Sequence, residues 1–171
     1  MLNTNEILID EITLKNKIKA IANLINIEYK DEELDIVYML NGASFFVVEL
    51  AKHLTVNTRI FPFGFNSFEI PNESGEVQIT LDVPVSLFGK NVLILEGIIV
   101  SGRTPQFVYQ SIKNRMPKRL DLCAIGFKPE KLAADLKIKY AGFQFNSEIV
   151  VGFGIGQGKQ KLLQYLIDIK K

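Results

Sequence analysis

With 171 residues the chain suits one domain of ordinary size, large enough for a substantial core. It is 47% apolar and 23% charged, and its formal charge of +1 gives no electrostatic reason to expect nucleic acid or an anionic membrane as partner. No apolar run reaches the roughly 18 residues of a membrane helix, and Glu6, Asp10 and Glu11 stand where a signal peptide would be apolar, which predicts a cytoplasmic protein.

Leu14, Ile18, Ile21, Ala22 and Ile25 recur at helical spacing, with Lys15, Lys17, Lys19 and Asn23 on the wet side and Asp10 or Thr13 as the cap. A strand over 35–40, an Asn41-Gly42 turn and a helix over 43–53 follow, with Phe46, Val47 and Leu50 inward. His53, the single histidine, falls beside Lys52 at that helix end and reads as a surface residue compensating the helix dipole. One histidine cannot build a metal cluster, so zinc chemistry is unsupported. Residues 57–66 alternate through Ile60, Phe61, Phe63 and Phe65, and Pro62 argues for an edge or bulged position. Pro71, Asn72, Ser74 and Gly75 mark a flexible connection to a second strand over 77–81, making a mobile hairpin.

The chain is organised around residues 91–104. The apolar run 92–95 predicts a central parallel strand buried on both faces. Ser101, Gly102 and Thr104 then make a small-residue turn, Pro105 suits a first helical position, and Phe107, Val108, Ser111 and Ile112 fall at helical spacing. A strand, a small-residue loop and a helix start collect unpaired backbone amides where the helix dipole is positive, and such a place holds a phosphate. Ser-Gly-x-Thr alone is a weak pattern, and the buried strand and Pro105 beside it give it weight. Residues 120–127 predict the next parallel strand, with Cys123 as a buried thiol and Lys128-Pro129 at its end. Taken alone, a lysine before a proline reads as solvated. Two strand-helix units flanking one loop give an α/β fold with a mostly parallel sheet. In the tail, Leu162, Leu163, Leu166 and Ile167 suit a helix.

Glu96-Gly97, Ile98-Ile99, Val100 and Ser101-Gly102-Arg103-Thr104, after their apolar strand, resemble the phosphoribosyl pyrophosphate motif of the type I phosphoribosyltransferases. From Ile7 to about Phe153 the chain is similar to the hypoxanthine-guanine phosphoribosyltransferases in particular. In that family the motif is two adjacent acids, two aliphatics, an aspartate, then Thr-Gly-Lys/Leu-Thr. The resemblance implies a mostly parallel central sheet flanked by helices, a small hood, and a lid over about residues 67–77 that includes Ser67 and Phe68. It implies a phosphate site at Val100, Ser101, Gly102, Arg103 and Thr104, a ribose and metal side at Glu96 and Gly97, and a pyrophosphate turn at Asn41 and Gly42. It further implies a base pocket at Lys128, Ile149 and Val150, with Lys128 reaching the exocyclic oxygen of a purine. Activity would require Mg2+, with Glu96 as its one candidate ligand, and the resemblance implies a homodimer or homotetramer. It also places a short strand near 165–169, against the helical reading of the tail.

The departures from the family gather in one place. Val100 stands where the family has the aspartate that exchanges a proton with the purine's imidazole nitrogen, a role worth roughly 10²- to 10⁴-fold in rate. Gly97 replaces the second ribose acid, Ile149 the aromatic that stacks on the base, Gly156 a magnesium-associated aspartate, and Asn41 a lysine. No arginine follows Arg119, which leaves Lys159 or Lys161 for the family's pyrophosphate contact. Asp82 is a further acid that could take over a missing role. Three readings stand open: a slow phosphoribosyltransferase; a non-catalytic binder or sensor of phosphoribosyl pyrophosphate or a nucleotide; and a structural oligomer joined through surface aromatics Phe45, Phe46, Tyr109 and Phe145.

Overall fold

Val92, Leu93, Ile94 and Leu95 are sealed from solvent, because the strand that holds them, β5 (Asn91–Ile99), lies inside a six-stranded sheet covered by helices. The structure, a computed structural model, describes residues 6–40, 42–68, 76–132, 136–147, 149–156 and 158–169. The sheet runs β4 (Glu76–Leu81), β3 (Asn57–Phe68), β2 (Glu33–Met39), β5, β6 (Arg119–Phe127), β7 (Tyr140–Gln144). All neighbours are parallel except β3 and β4. Up to Phe63, β3 pairs only with β2, since β4 joins from Gly64 onward; Pro62 therefore sits on a locally open edge, where its missing amide hydrogen is tolerated.

The connection through α2 (Ser44–Ala51) takes β2 to β3 on one side, and α3 (Arg103–Lys113) takes β5 to β6 on the other. With right-handed crossovers in opposite directions, the two helices cover opposite faces, and a crevice opens between the C-terminal ends of β2 and β5. α1 (Glu11–Glu28) packs with α2, burying Leu14, Ile18, Ile21, Ala22 and Ile25 as its spacing predicts. Asp10 is its cap: the carboxylate accepts from the Thr13 amide at 2.9 Å and from the Thr13 hydroxyl at 2.7 Å.

At the other end of the strands, a charge network ties α1 to β6 and β7. Glu28 accepts from Arg119, Lys139 and Tyr140, while Asp121 accepts from Tyr29 at 2.7 Å and from Arg119 at 2.7 Å. The Arg119 guanidinium also lies 4.3 Å over the Tyr29 ring. Burial alone would raise the Glu28 carboxyl, but those three donors outweigh it and hold the group down at about 2. A depressed carboxyl stabilises the fold fully above the unfolded value of 4.5 and loses that contribution as pH falls toward 2. Glu28→Gln should therefore cost about 1 kcal/mol at neutral pH, a modest figure for a carboxylate a third exposed, and the deficit should shrink between pH 5 and 2. Urea unfolding at several pH values measures it; a deficit that does not change with pH would contradict the assignment.

A second, three-stranded antiparallel sheet, β1 (Glu6–Ile9), β9 (Leu166–Asp168) and β8 (Val150–Val151), forms the hood. This corrects the helical reading of the tail: a single 3-10 turn, Gly158–Leu162, leaves Leu162 64% exposed, whereas Leu166 and Ile167 are buried by strand pairing with β1 and β8. Pro105 falls at the third helical position rather than the first, which the helix accepts because amides of a first turn have no intrahelical partner. Phe107 is exposed, and the core face of α3 is Pro105, Val108 and Ile112. Phe46 and Phe145 are buried core residues, so they cannot be surface aromatics of an oligomer. His53 lies just beyond α2, with its Nε2 at 3.6 Å from Glu49. Among the described residues no helix is long and apolar enough to cross a membrane.

Candidate active site

The crevice between β2 and β5 collects the chemistry. β5 ends at Ile99, and the chain turns through Val100, Ser101 and Gly102 into α3. Gly102 is the helix cap at φ 77°, a left-handed conformation that costs other residues roughly 1 to 2 kcal/mol. No side chain caps the helix; the Gly102 carbonyl accepts from Gln106 at 2.9 Å, and the Arg103 amide only grazes the Ser101 hydroxyl at 3.5 Å. Among the described residues, the amides of Ser101, Gly102 and Thr104 donate to nothing. Unpaired donors at the positive end of an eleven-residue helix make an anion cradle. Val100, at its lip, is 42% exposed, a hydrocarbon facing solvent.

Glu96 is 8% exposed, and its Oε1 accepts from the Gly97 amide at 2.8 Å. Burial pushes its carboxyl up to about 7, with the Gly97 hydrogen bond pulling weakly the other way. Above it sits the turn after β2. A Cβ built on Gly42 would lie 3.0 Å from Glu96 Oε1, and one built on Gly97 would lie 2.3 Å from the Gly42 carbonyl oxygen and 3.1 Å from Ile155 Cγ1. Gly97 is thus a place where two backbones and the hood meet, and no acid fits there without moving the turn. Asn41, the other half of the turn, lies outside the described residues.

Lys128 is 5% exposed, which overturns the solvated reading, and its amide donates to the Ile99 carbonyl at 2.9 Å, fixing it beside the end of β5. Of the two hood residues assigned to a base pocket, Ile149 is 37% exposed and available to a ligand, whereas the Val150 side chain belongs to the core. Ser67 and Phe68 end β3, paired with Val77 and Glu76; the lid tip, 69–75, lies outside the described residues. Asp82 is held by Arg115 at 2.8 Å and accepts from the Val83 amide, so it is committed elsewhere.

Phe45, Phe153, Gly154 and Ile155 form a wall that nothing in the sequence brings together. Phe45 meets Phe153 edge to face, with centroids 5.9 Å apart, and Gly154 packs on Phe45. Alternating glycines from 152 to 156 are the signal that marks this tight turn. A concavity of about 430 Å³ does open between the end of α1 and β3, lined by Asn26, Asp31, Glu33 and Asn57, but it lies at the N-terminal ends of β2 and β3, the end of the strands away from the cradle.

The family model for the phosphoribosyl transferase domain matches residues 4–157. A hypoxanthine-guanine phosphoribosyltransferase of Staphylococcus epidermidis is 32% identical over 150 residues, 87% of this chain and 84% of its own. A hypoxanthine phosphoribosyltransferase of Salmonella typhimurium is 32% identical over 158 residues, 91% of this chain and 89% of its own. The crystal structure of a hypoxanthine-guanine phosphoribosyltransferase from Bacillus anthracis superposes with a TM-score of 0.87 at 31% identity, covering 96% of this chain and 99% of that one.

Proposed function

The chain belongs to the type I phosphoribosyltransferases and resembles their hypoxanthine-guanine members, and from that membership we propose that it transfers phosphoribose to a purine base slowly. In this reading the 5′-phosphate of phosphoribosyl pyrophosphate rests on the amides of Ser101 to Thr104 and its pyrophosphate on the turn at Gly42. The base lies between Ile149 and Lys128, whose ammonium donates to the exocyclic oxygen. A ring nitrogen of the base bonds to the anomeric carbon as the bond to pyrophosphate breaks, and the nitrogen's proton passes to water because Val100 cannot take it. The observation that carries the proposal is the set of unpaired amides beside Gly102.

Activity of this kind would take magnesium, an ion commonly carried by one or two carboxylates together with substrate phosphates. Glu96 is the carboxylate that would hold its protein side, and the ion would neutralise the leaving pyrophosphate. The buried Cys123 thiol, pushed up by burial, suits a reducing cytoplasm.

The test mixes the protein with phosphoribosyl pyrophosphate, magnesium and hypoxanthine or guanine and follows pyrophosphate release. Slow release is expected, and Gly102→Val should abolish it together with the rise in melting temperature that guanosine monophosphate gives the unaltered protein. Stabilisation without release would favour the second reading, a nucleotide-binding relative, which the hydrocarbon at position 100 motivates. Neither effect would remove both.

A further inference from the structure

We propose that this site selects bases that need no proton acceptor: oxopurines and related ring lactams acidic enough to be anionic near neutral pH, in preference to hypoxanthine and guanine, which are neutral there. The selection names a substrate class for the function proposed above and rests on it.

Ile99 pairs with Phe127, so Val100 and Lys128 follow side by side at the ends of β5 and β6. The Lys128 amide, bonded to the Ile99 carbonyl at 2.9 Å, fixes that register, and the residue is 5% exposed. The pair is a hydrocarbon beside a buried ammonium, and neither accepts a proton from a ring nitrogen.

The acids and the histidine of the described residues do not make up the lack. Glu96 stands four positions before Val100, about 13 Å at the rise of a strand, and its Oε1 accepts from its own Gly97 amide at 2.8 Å. Asp82 is bound by Arg115 past the far end of α3, an eleven-residue helix that puts about 16 Å between that pair and the cradle. Glu130 stands out in solvent on the turn Pro129–Lys131, and His53 lies past the end of α2. Along the chain the next charged residue after Val100 is Arg103, so this lip is flanked by positive charge. A base that arrives as an anion is drawn to Lys128, and burial strengthens that attraction over its value in water.

For such a base the transfer balances without an acceptor. The lone pair of the ring nitrogen forms the bond to the anomeric carbon, the bond from that carbon to pyrophosphate breaks, and the pyrophosphate oxygen leaves with the electron pair. Base anion and phosphoribosyl pyrophosphate become nucleotide and pyrophosphate, with no proton to place. A neutral base must shed its proton as well, and it does so without the roughly 10²- to 10⁴-fold help of a positioned acceptor.

Isosteric pairs isolate acidity: guanine against 8-azaguanine, and hypoxanthine against 8-azahypoxanthine, where nitrogen in place of carbon 8 makes the ring more acidic and leaves its shape nearly unchanged. Followed by pyrophosphate release at neutral pH, the aza member of each pair is expected to show a kcat/KM at least about tenfold higher. The ratio should shrink as pH rises toward ionisation of the parent base. Titration of the enzyme, that of Glu96 included, acts on both members of a pair and cancels. Val100→Asp, at a position 42% exposed, should lift the parent bases far more than the aza bases and bring the ratio close to one. A ratio near one in the unaltered protein, or a ratio that Val100→Asp leaves unchanged, overturns the selection with the proposed transfer intact. No release from any of the four bases overturns both.

Discussion

Val100→Asp is expected to raise turnover by roughly 10²- to 10⁴-fold, the contribution of a positioned general acid or base. The substitution is unusually free of side effects. Val100 is 42% exposed, so the new carboxylate stays solvated and removes no core packing. It stands one residue before the cradle, on the loop that joins β5 to α3, and the Ser101 to Thr104 amides keep their places. Adding Gly97→Asp should reverse the gain, since that side chain would drive into the Gly42 carbonyl. Steady-state rates with hypoxanthine and guanine check both. An unchanged rate in Val100→Asp would mean that proton handling is not what limits this site.

The second large effect concerns stability. Glu96 has its folded value raised from 4.5 to about 7 by burial, so between those values the native chain binds more protons than the unfolded one. Stability then falls as pH rises through that window: the carboxyl exerts no penalty below about 4.5 and its full penalty above about 7, amounting to about 3 kcal/mol. Glu96→Gln keeps the shape and removes the titration. In metal-free buffer the variant should gain about 3 kcal/mol on the unaltered protein between pH 4.5 and 8, roughly 6 to 12 °C in melting temperature. Parallel pH profiles for the two proteins would contradict it.

Much of the site was legible because long periodic segments and small-residue loops carry their physics locally. The apolar run 92–95 has the length and composition of a strand buried on both faces, and Ser101-Gly102 before Pro105 marks a tight entry into a helix, and both elements form there. Lys128 was placed by resemblance and not by its neighbours, since nothing in Lys-Pro announces burial. The hood was placed by resemblance and not by pattern, because β8 has two residues and β9 three, too few for alternation to show, and the leucines of the tail satisfy helical spacing by coincidence. Gly97 was legible only as a missing acid. That its place is filled by the carbonyl of Gly42, more than 50 positions earlier, is a tertiary fact with no local trace. Phe46 and Phe145 looked like surface aromatics for the same reason: which face of an element is wet depends on what the rest of the chain lays against it.

The cradle is the claim on which the others rest, and an experimental electron-density map of the protein with guanosine monophosphate tests it most directly. The phosphate oxygens should lie about 3 Å from the amides of Ser101, Gly102 and Thr104. A nucleotide bound with its phosphate elsewhere, or those amides found paired within the protein, would contradict the account.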